Sequence, residues 1–323
     1  MAKNKLSDSI WGVLGEGIKL YCMHFKKYSQ YMLFPVLGQF AGLFWVFGTS
    51  WLFSQNLDYL TREIPALDSF GTVMVCLMLI TLPGLILWMK AFWDYLVAYG
   101  ALNSMTEAAM STGKIYDFPA YNAVVTRRAA SFIGVWLLFS LFSLVSVIPF
   151  FWVIGLIFFV YFVLIFQVFT FEEDVSPSGC FKRSLMLIKG NFARTLAIMV
   201  VLFAVTYYFL EIGVSVIFDA LKISDFFYGI LEGWTSTIPL DSINSILAMV
   251  GLVQITPLDI SKSVVQQIIF FLVVGFTLPL RSIVWTLWYK VLGEKDGVPS
   301  KVSHKTSKKL DPEIIKRAKE KDE

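Results

Sequence analysis

Long stretches without a charged side chain dominate this chain. The longest lies between Arg128 and Glu172, where 43 consecutive residues carry no charge. About 18 or more apolar residues in a row indicate a membrane-spanning helix, because a bilayer core is about 30 Å thick. The chain is 57% hydrophobic and 16% charged, whereas soluble domains are about 45–50% apolar and about 25% charged. This composition argues against a soluble enzyme, a nucleic-acid-binding protein and a disulfide-rich secreted domain.

The charge-free stretches predict six membrane spans. The 43-residue stretch is too long for one span and divides at Pro149, because proline disfavours a continuous helix. We therefore predict an all-α, polytopic membrane protein with six transmembrane helices and amphipathic cytoplasmic helices. The spans lie near residues 31–53, 69–89, 130–148, 150–171, 195–218 and 263–289 of a membrane domain at 31–290. The flanking predictions are a cytoplasmic amphipathic helix at 1–30, an outer loop with surface helices at 219–262 and a mostly disordered, charged cytoplasmic tail at 291–323.

The distribution of Lys and Arg predicts the orientation of these spans. Of the 27 cations, 24 fall in segments on one side of the predicted spans, and the other side holds Arg62, Lys222 and Lys262. Segments rich in Lys and Arg stay in the cytoplasm. We expect a multi-pass protein of the cell (inner) membrane with both termini cytoplasmic.

One stretch offers an alternative count of the spans. Residues Ser242–Leu258 form a 17-residue uncharged segment that competes as a seventh span. Crossing there would place the strongly basic C-terminal segment outside, against the charge distribution. We therefore favour a surface or re-entrant helix on the outer face.

A basic helix precedes the first, third and fifth predicted spans. Pro119 and the pair Ser176-Pro177 are suited to begin the second and third of these helices. The first helix, ending in Lys26-Lys27, carries a predicted apolar stripe of Ile10, Leu14, Ile18, Tyr21, Cys22 and Phe25. The stripe of the third consists of Phe181, Leu185, Ile188 and Phe192.

Two interpretations of these basic helices stay open. In one, their cations bind membrane lipids, anionic ones among them, at about 1 kcal/mol each near the surface. In the other, the cations only set topology while the helices pack against one another. The candidate headgroup contacts are Lys26, Lys27, Arg127, Arg128, Lys182, Arg183, Arg194 and Arg281.

Two charges fall inside predicted spans. Glu211 lies near the outer end of the fifth span and is the intramembrane polar candidate, and Arg281 lies late in the sixth. Intramembrane ions are functional candidates by default. Both lie near an interface, where anchoring explains them as well.

The residue types required for catalysis or metal binding are sparse. The cysteines Cys22, Cys76 and Cys180 are far apart, and the two histidines lie in polar flanks. Glu172-Glu173 has the start of the EExxxR motif of membrane prenyl-protein proteases, but Pro177 occupies the Arg position. We predict no enzyme activity, no cofactor, no metal and no nucleic-acid partner.

A weak internal repeat links the first and third hairpins. Thr81-Leu82-Pro83 and Thr277-Leu278-Pro279 lie in the second helix of each hairpin, and an aromatic-rich segment follows both. Duplication with one insertion in the outer loop is one explanation, and chance matching in apolar sequence is the other.

One segment resembles a known group of proteins. The sequence FEEDVSPSGCFKRSLMLIKGNFARTL at 171–196, with YMLFPVLG at 31–38, resembles poorly characterised bacterial polytopic inner-membrane proteins, among them the membrane domain of glycerophosphodiester phosphodiesterases. The catalytic domain of those enzymes has no counterpart here, so phosphodiesterase activity is not implied. Our leading hypothesis is a non-enzymatic, lipid-associated or membrane scaffold that organises lipid or partner proteins through its cytoplasmic amphipathic helices. The alternative hypothesis is a small transporter or lipid-translocating protein.

Overall fold

The computed structural model describes residues 9–116, 118–146, 148–172 and 174–295. Within these residues the chain forms helices and connecting turns, without β-strands. The protein is an all-α polytopic membrane protein, as predicted. Most of the predicted cytoplasmic tail lies outside the described residues.

Fifteen α-helices make up the described fold. They are α1 Ile10–Met23, α2 Phe25–Gln55, α3 Leu57–Glu63, α4 Phe70–Thr112, α5 Phe118–Thr126, α6 Ala129–Val145, α7 Trp152–Phe162, α8 Ile165–Phe171, α9 Pro177–Ile188, α10 Phe192–Ala204, α11 Leu210–Ala220, α12 Ile223–Thr235, α13 Asp241–Met249, α14 Pro257–Phe276 and α15 Leu278–Lys295. A π-helical segment, Val205–Phe209, joins α10 to α11.

Five helices or helix runs are long and apolar enough to cross a membrane. A sixth is added if α5 and α6, which are bent by 74° at their junction, count as one broken span. The five are Phe25–Gln55, Phe70–Thr112, Pro149–Phe171, Phe192–Ala220 and Pro257–Glu294. By itself α6 has 17 residues, which give about 25 Å of helix.

The structure bears on the predicted break at Pro149 and on the competing seventh span. Pro149 opens a short 3₁₀ turn, Pro149–Phe151, in front of α7. In the predicted outer loop, α13 has only nine residues, about 13 Å of helix. That length is too short to cross a bilayer, so Ser242–Leu258 does not form a seventh helical span.

The N-terminal amphipathic helix differs in detail from the prediction. Helix α1 ends at Met23, and α2 begins at Phe25, so Lys26 and Lys27 belong to α2. Its buried residues are Val13, Leu14, Gly17 and Leu20. Of the predicted stripe, Ile18, Cys22 and Phe25 are exposed instead. Gly17 is in the buried set because a Cβ there would lie 2.5 Å from Val284 Cγ2 of α15.

Helix α9 begins where the sequence predicts, but the face that it buries differs from the predicted apolar stripe. The hydroxyl of Ser176 accepts a hydrogen bond from the amide of Gly179, and Pro177 occupies the first helical turn. The buried face consists of Cys180, Phe181, Ser184, Leu187 and Ile188. Leu185 is exposed rather than buried.

The chain forms two compact units. Unit 1 comprises the described parts of 1–35, 93–202 and 277–323, and unit 2 comprises 36–92 and 203–276. In unit 1, aromatic rings of α4, α6 and α8 fill the core, with Trp136 4.7 Å from Phe166 and 5.0 Å from Tyr99 between ring centres. In unit 2, Val265, Ile269 and Val273 of α14 pack against side chains of α11 and α12.

The two Thr-Leu-Pro segments have different local structures. Helix α4 continues through Pro83, whereas Thr277 separates α14 from α15, and Pro279 lies in the first turn of α15. The sequence repeat is therefore not matched by a repeat of backbone geometry at these prolines.

Helices α2 and α4 approach each other closely at two glycines in unit 2. A Cβ on Gly42 would lie 2.7 Å from the carbonyl oxygen of Gly84, and a Cβ on Gly84 would lie 2.8 Å from that of Gly42. Small residues allow helix backbones to approach in membranes, where van der Waals packing drives association. This crossing therefore depends on both glycines.

We predict that Gly42→Val destabilises the protein, whereas Gly48→Val on the same helix does not. The added side chain at 42 meets backbone atoms that cannot move aside, at a cost of about 1–3 kcal/mol. Nothing lies within 4 Å of a Cβ at Gly48. Thermal unfolding of the two purified variants in detergent measures the difference, and equal melting temperatures would contradict the close crossing.

Candidate functional site

A buried group of amide and hydroxyl side chains joins three helices of unit 1. Asn103 of α4 lies at its centre and is fully buried. Its Oδ1 accepts hydrogen bonds from Ser282 Oγ at 2.7 Å, Thr286 Oγ1 at 3.2 Å and Gln167 Nε2 at 3.2 Å. Its Nδ2 donates to Thr170 Oγ1 at 3.1 Å. We call Asn103, Gln167, Thr170, Ser282 and Thr286 the amide cluster.

Helical spacing brings the amide cluster together. Gln167 and Thr170 lie three residues apart on α8, and Ser282 and Thr286 lie four residues apart on α15. Residues at these spacings share one face of a helix. Each helix thereby turns a polar face toward Asn103. A buried polar group without a partner costs about 1–3 kcal/mol, so the cluster favours this arrangement of α4, α8 and α15 over others.

A charged cluster lies where α8 ends. Glu172 Oε1 accepts hydrogen bonds from Arg183 Nε at 3.0 Å and from the Tyr289 hydroxyl at 2.9 Å. The Arg183 and Glu172 side chains are 19% and 22% exposed. The cluster therefore connects the end of α8 with α9 and α15. We call Glu172, Arg183, Tyr289 and Arg128 the Glu172 cluster.

Arg128 joins this cluster through the backbone. Its guanidinium donates to the carbonyl oxygens of Phe169 and Glu172, and its central carbon lies 4.2 Å from the centre of the Phe169 ring. The last carbonyls of a helix lack partners within it, and a cation there also interacts favourably with the negative end of the helix dipole. Arg128 thus caps the C-terminal end of α8.

A second ion pair stands beside the Glu172 cluster. Lys290 Nζ lies 3.2 Å from Glu107 Oε1, joining α15 to α4. The ring of Phe171 stacks on Tyr289 with 5.4 Å between centres. Partly exposed pairs of this kind contribute only about 0.2–1 kcal/mol each. Their effect is to fix positions, because the Lys290–Glu107 pair holds α15 against α4 next to the Glu172 cluster.

Seven of the eight predicted headgroup contacts fall into two groups, and the eighth, Arg281, is half-buried. Lys26, Lys27, Arg127, Lys182 and Arg194 are exposed. By contrast, Arg128 and Arg183 are half-buried and have the protein partners described above. Within two dibasic pairs, therefore, the first cation faces outward and the second is bound internally. Contact with lipid stays a prediction for all of them.

The two intramembrane charges are half-buried. Glu211 lies in the first turn of α11, after the π-helical segment, and accepts a long hydrogen bond of 3.5 Å from Ser215 Oγ. Arg281 lies in α15, one residue before Ser282 of the amide cluster. The two residues belong to different units.

Sequence reasoning did not identify the amide cluster. Asn103 and Glu107 lie past the predicted end of the second span, and Ser282 and Thr286 of α15 fall within the predicted sixth span. The feature of the sequence that indicates this cluster is the spacing of polar residues, three or four apart, within apolar helices. Among the described residues, no group of three His, Cys, Asp or Glu side chains is arranged to hold a metal ion.

Comparison of the chain with protein-family models, curated proteins and solved structures returned no match.

We predict that Asn103→Leu destabilises the protein although it conserves most of the side-chain volume. The variant leaves three donors without their acceptor, at a cost of about 1–3 kcal/mol. Asn56→Leu is the control, because Asn56 is exposed and its side-chain amide donates to the Leu52 carbonyl, at 2.8 Å, within its own helix turn. Thermal unfolding in detergent checks the pair, and an unchanged melting temperature for Asn103→Leu would show that the cluster contributes nothing.

Proposed function

We propose that this protein is a non-enzymatic scaffold of the cell (inner) membrane that associates with anionic lipid through exposed cations. Both termini face the cytoplasm in this proposal. The observation that supports it is the division of the dibasic pairs. Arg128 and Arg183 are held by Glu172 and the end of α8, and their neighbours Arg127 and Lys182 are exposed.

The internal partners make the exposed cations more effective for binding. Arg128 caps α8 directly before α6 begins, and Arg183 ties α9 to Glu172. The backbone at Arg127 and Lys182 is therefore already ordered before a ligand binds. For this reason, less conformational entropy is lost when a phosphate group binds to their side chains. Each cation near an anionic surface is worth about 1 kcal/mol, less at a distance beyond the Debye length of about 8 Å.

The resemblance described for residues 171–196 is consistent with this proposal. That segment includes both Glu172 and Arg183, so the ion pair of the Glu172 cluster is formed within it. The resemblance extends only to a membrane domain, and we propose no phosphodiesterase activity.

The alternative function, a small transporter or lipid-translocating protein, is favoured by one observation. Gln167 is 3% exposed, and its Oε1 has no hydrogen-bond partner among the described residues. A transport path needs several polar groups that converge on a ligand. The core next to the amide cluster consists of aromatic rings instead, with Phe166 5.1 Å from Tyr99. For this reason the scaffold is our first proposal.

The lipid proposal predicts different results for two variants of equal charge. Arg127→Gln with Lys182→Gln removes the exposed cations, and we expect roughly tenfold weaker retention of anionic lipid, from about 1 kcal/mol per cation reduced by screening. Arg128→Gln with Arg183→Gln removes the internal cations and is expected to lower the melting temperature instead. Lipid mass spectrometry of the purified proteins, at low and physiological salt, gives the retention.

Equal lipid loss in both double variants would contradict the proposal, since it would make total charge and not exposure the determinant. Unchanged retention in the Arg127 and Lys182 variant, with a normal melting temperature, would leave these cations as topology signals only.

The orientation is tested by labelling two thiols on opposite sides. Native Cys22 is exposed on α1, on the predicted cytoplasmic side, and Ser236 is exposed after α12, on the predicted outer side. In a Cys76→Ala background, we expect a membrane-impermeant maleimide to label Ser236→Cys on intact cells. Cys22 should react only after the membrane is permeabilised. Labelling of Cys22 on intact cells would overturn the orientation.

Cys180 serves as an internal control for that experiment. Burial raises the pKa of its thiol to about 11, and the side chain is inaccessible. Maleimides react with the thiolate, so the raised pKa keeps Cys180 mostly protonated at the labelling pH and adds to the protection given by burial. Raising the labelling pH from about 7 to about 9, still well below the pKa of Cys180, should leave Cys180 unlabelled.

A further inference from the structure

Unit 2 carries a run of exposed apolar side chains at the last residue of α13 and in the turn that follows it. Met249 is 79% exposed and Val253 is 88% exposed, with Val250 and Leu252 at 65% and 60%. We call these four residues the apolar tip. No charged residue occurs between Asp241 and Asp259. A contiguous exposed apolar patch of this kind marks an interaction surface.

Backbone hydrogen bonds hold the apolar tip in a defined shape. The amide of Leu252 donates to the Leu247 carbonyl at 2.9 Å, and the amide of Gly251 donates to that of Ala248 at 3.1 Å. With Gly251 at φ +72°, this pattern is a Schellman motif, which ends a helix with a left-handed residue. The tip therefore projects from an ordered helix end.

Asn244 closes the turn on its other side. Its Nδ2 donates to the Ile255 carbonyl at 3.0 Å, and its Oδ1 accepts from the Ile255 amide at 2.8 Å. These two hydrogen bonds hold Ile255 next to Asn244 and so fix both ends of the segment 244–255. The amides of Gly251, Leu252 and Ile255 and the side chain of Asn244 thus have partners within the segment, which lowers the cost of bringing the turn into a medium that offers few hydrogen bonds.

Contacts at its two ends place the segment at an end of the membrane spans. Thr235 and Ser261 are joined by a hydrogen bond of 2.9 Å between their hydroxyls, so the 235–261 loop starts and finishes against α14. Trp234 lies 6.5 Å from Phe47, which belongs to the last third of α2. Tryptophan is enriched where spans meet the headgroups.

The start of α14 sets how far the tip lies from that interface. Thr256 and Asp259 form a capping box, in which Thr256 Oγ1 accepts from the Asp259 amide and Asp259 Oδ2 accepts from the Thr256 amide. Val253 precedes Pro257 by four residues, a distance of at most about 14 Å for an extended chain. The tip is therefore within reach of the layer where α14 enters the bilayer.

We propose that the apolar tip inserts into the boundary between lipid headgroups and acyl chains. The occupant is lipid because both neighbouring helix runs, Phe192–Ala220 and Pro257–Glu294, are long and apolar enough to span the bilayer that surrounds the tip. With no charge in the segment, insertion is driven by the burial of apolar surface and is insensitive to salt. This proposal does not depend on the cation-based function above.

Spin labels test the depth of the tip in the full-length protein. A nitroxide is attached at Val253→Cys or, as the matched control, at Ala248→Cys, which is exposed on the face of α13 opposite Ile246. Cys22 and Cys76 are replaced, and buried Cys180 is retained. The protein is reconstituted into phosphatidylcholine vesicles, and collision rates with oxygen and with a water-soluble nickel chelate are measured.

We expect the ratio of oxygen to nickel collisions to be severalfold higher at 253 than at 248, and to be unchanged by salt. Equal ratios, with free access of nickel to both labels, would put the tip in water and overturn the proposal. A label at 253 that is shielded from both reagents would also overturn it, because protein, a second copy or another partner, would then cover the tip.

Discussion

The 43 residues of α4 make a helix about twice as long as a bilayer core is thick, and much of the structure depends on this excess length. The half that continues past the predicted span cannot rely on lipid to cover its surface, so other helices must bury it. That half carries Asn103 and Glu107. Hydrogen bonds to Asn103 come from α8 and α15, and the ion pair of Glu107 comes from α15. Polar residues that would be costly at mid-bilayer thereby serve to align helices.

The sequence was sufficient for the class of fold because charge is excluded from the bilayer core so strongly. Charge-free stretches therefore located the helix runs, and Pro149 located a break. The same physics limits what can be predicted next. Lipid tails are as apolar as the interior of the protein, so hydrophobicity alone does not tell which helix face contacts protein. On α1 the apolar residue Ile18 is exposed, whereas Gly17 is buried against Val284.

The candidate site was less predictable, for a related reason. The eight candidate residues share only a positive charge. Charge alone does not distinguish a residue that caps a helix from one that faces lipid. Arg128 binds carbonyls at the end of α8, a partner that is distant in sequence and invisible to local patterns. Asn103 was overlooked because one amide in an apolar helix has no motif. Its importance arises from three helices whose polar faces converge only in the folded protein.

Within the Lys182-Arg183 pair of α9, the division between an outward and an internal cation follows from helix geometry. Successive residues on an α-helix point about 100° apart, so two adjacent cations cannot both face the same partner. On α9, Arg183 turns toward Glu172, and Lys182 is consequently directed outward. The internal ion pair fixes the rotation of α9 about its axis, and that rotation decides which cation is exposed. A pair of basic residues in front of a span can therefore supply one cation that anchors the helix and one that is available to a phosphate group.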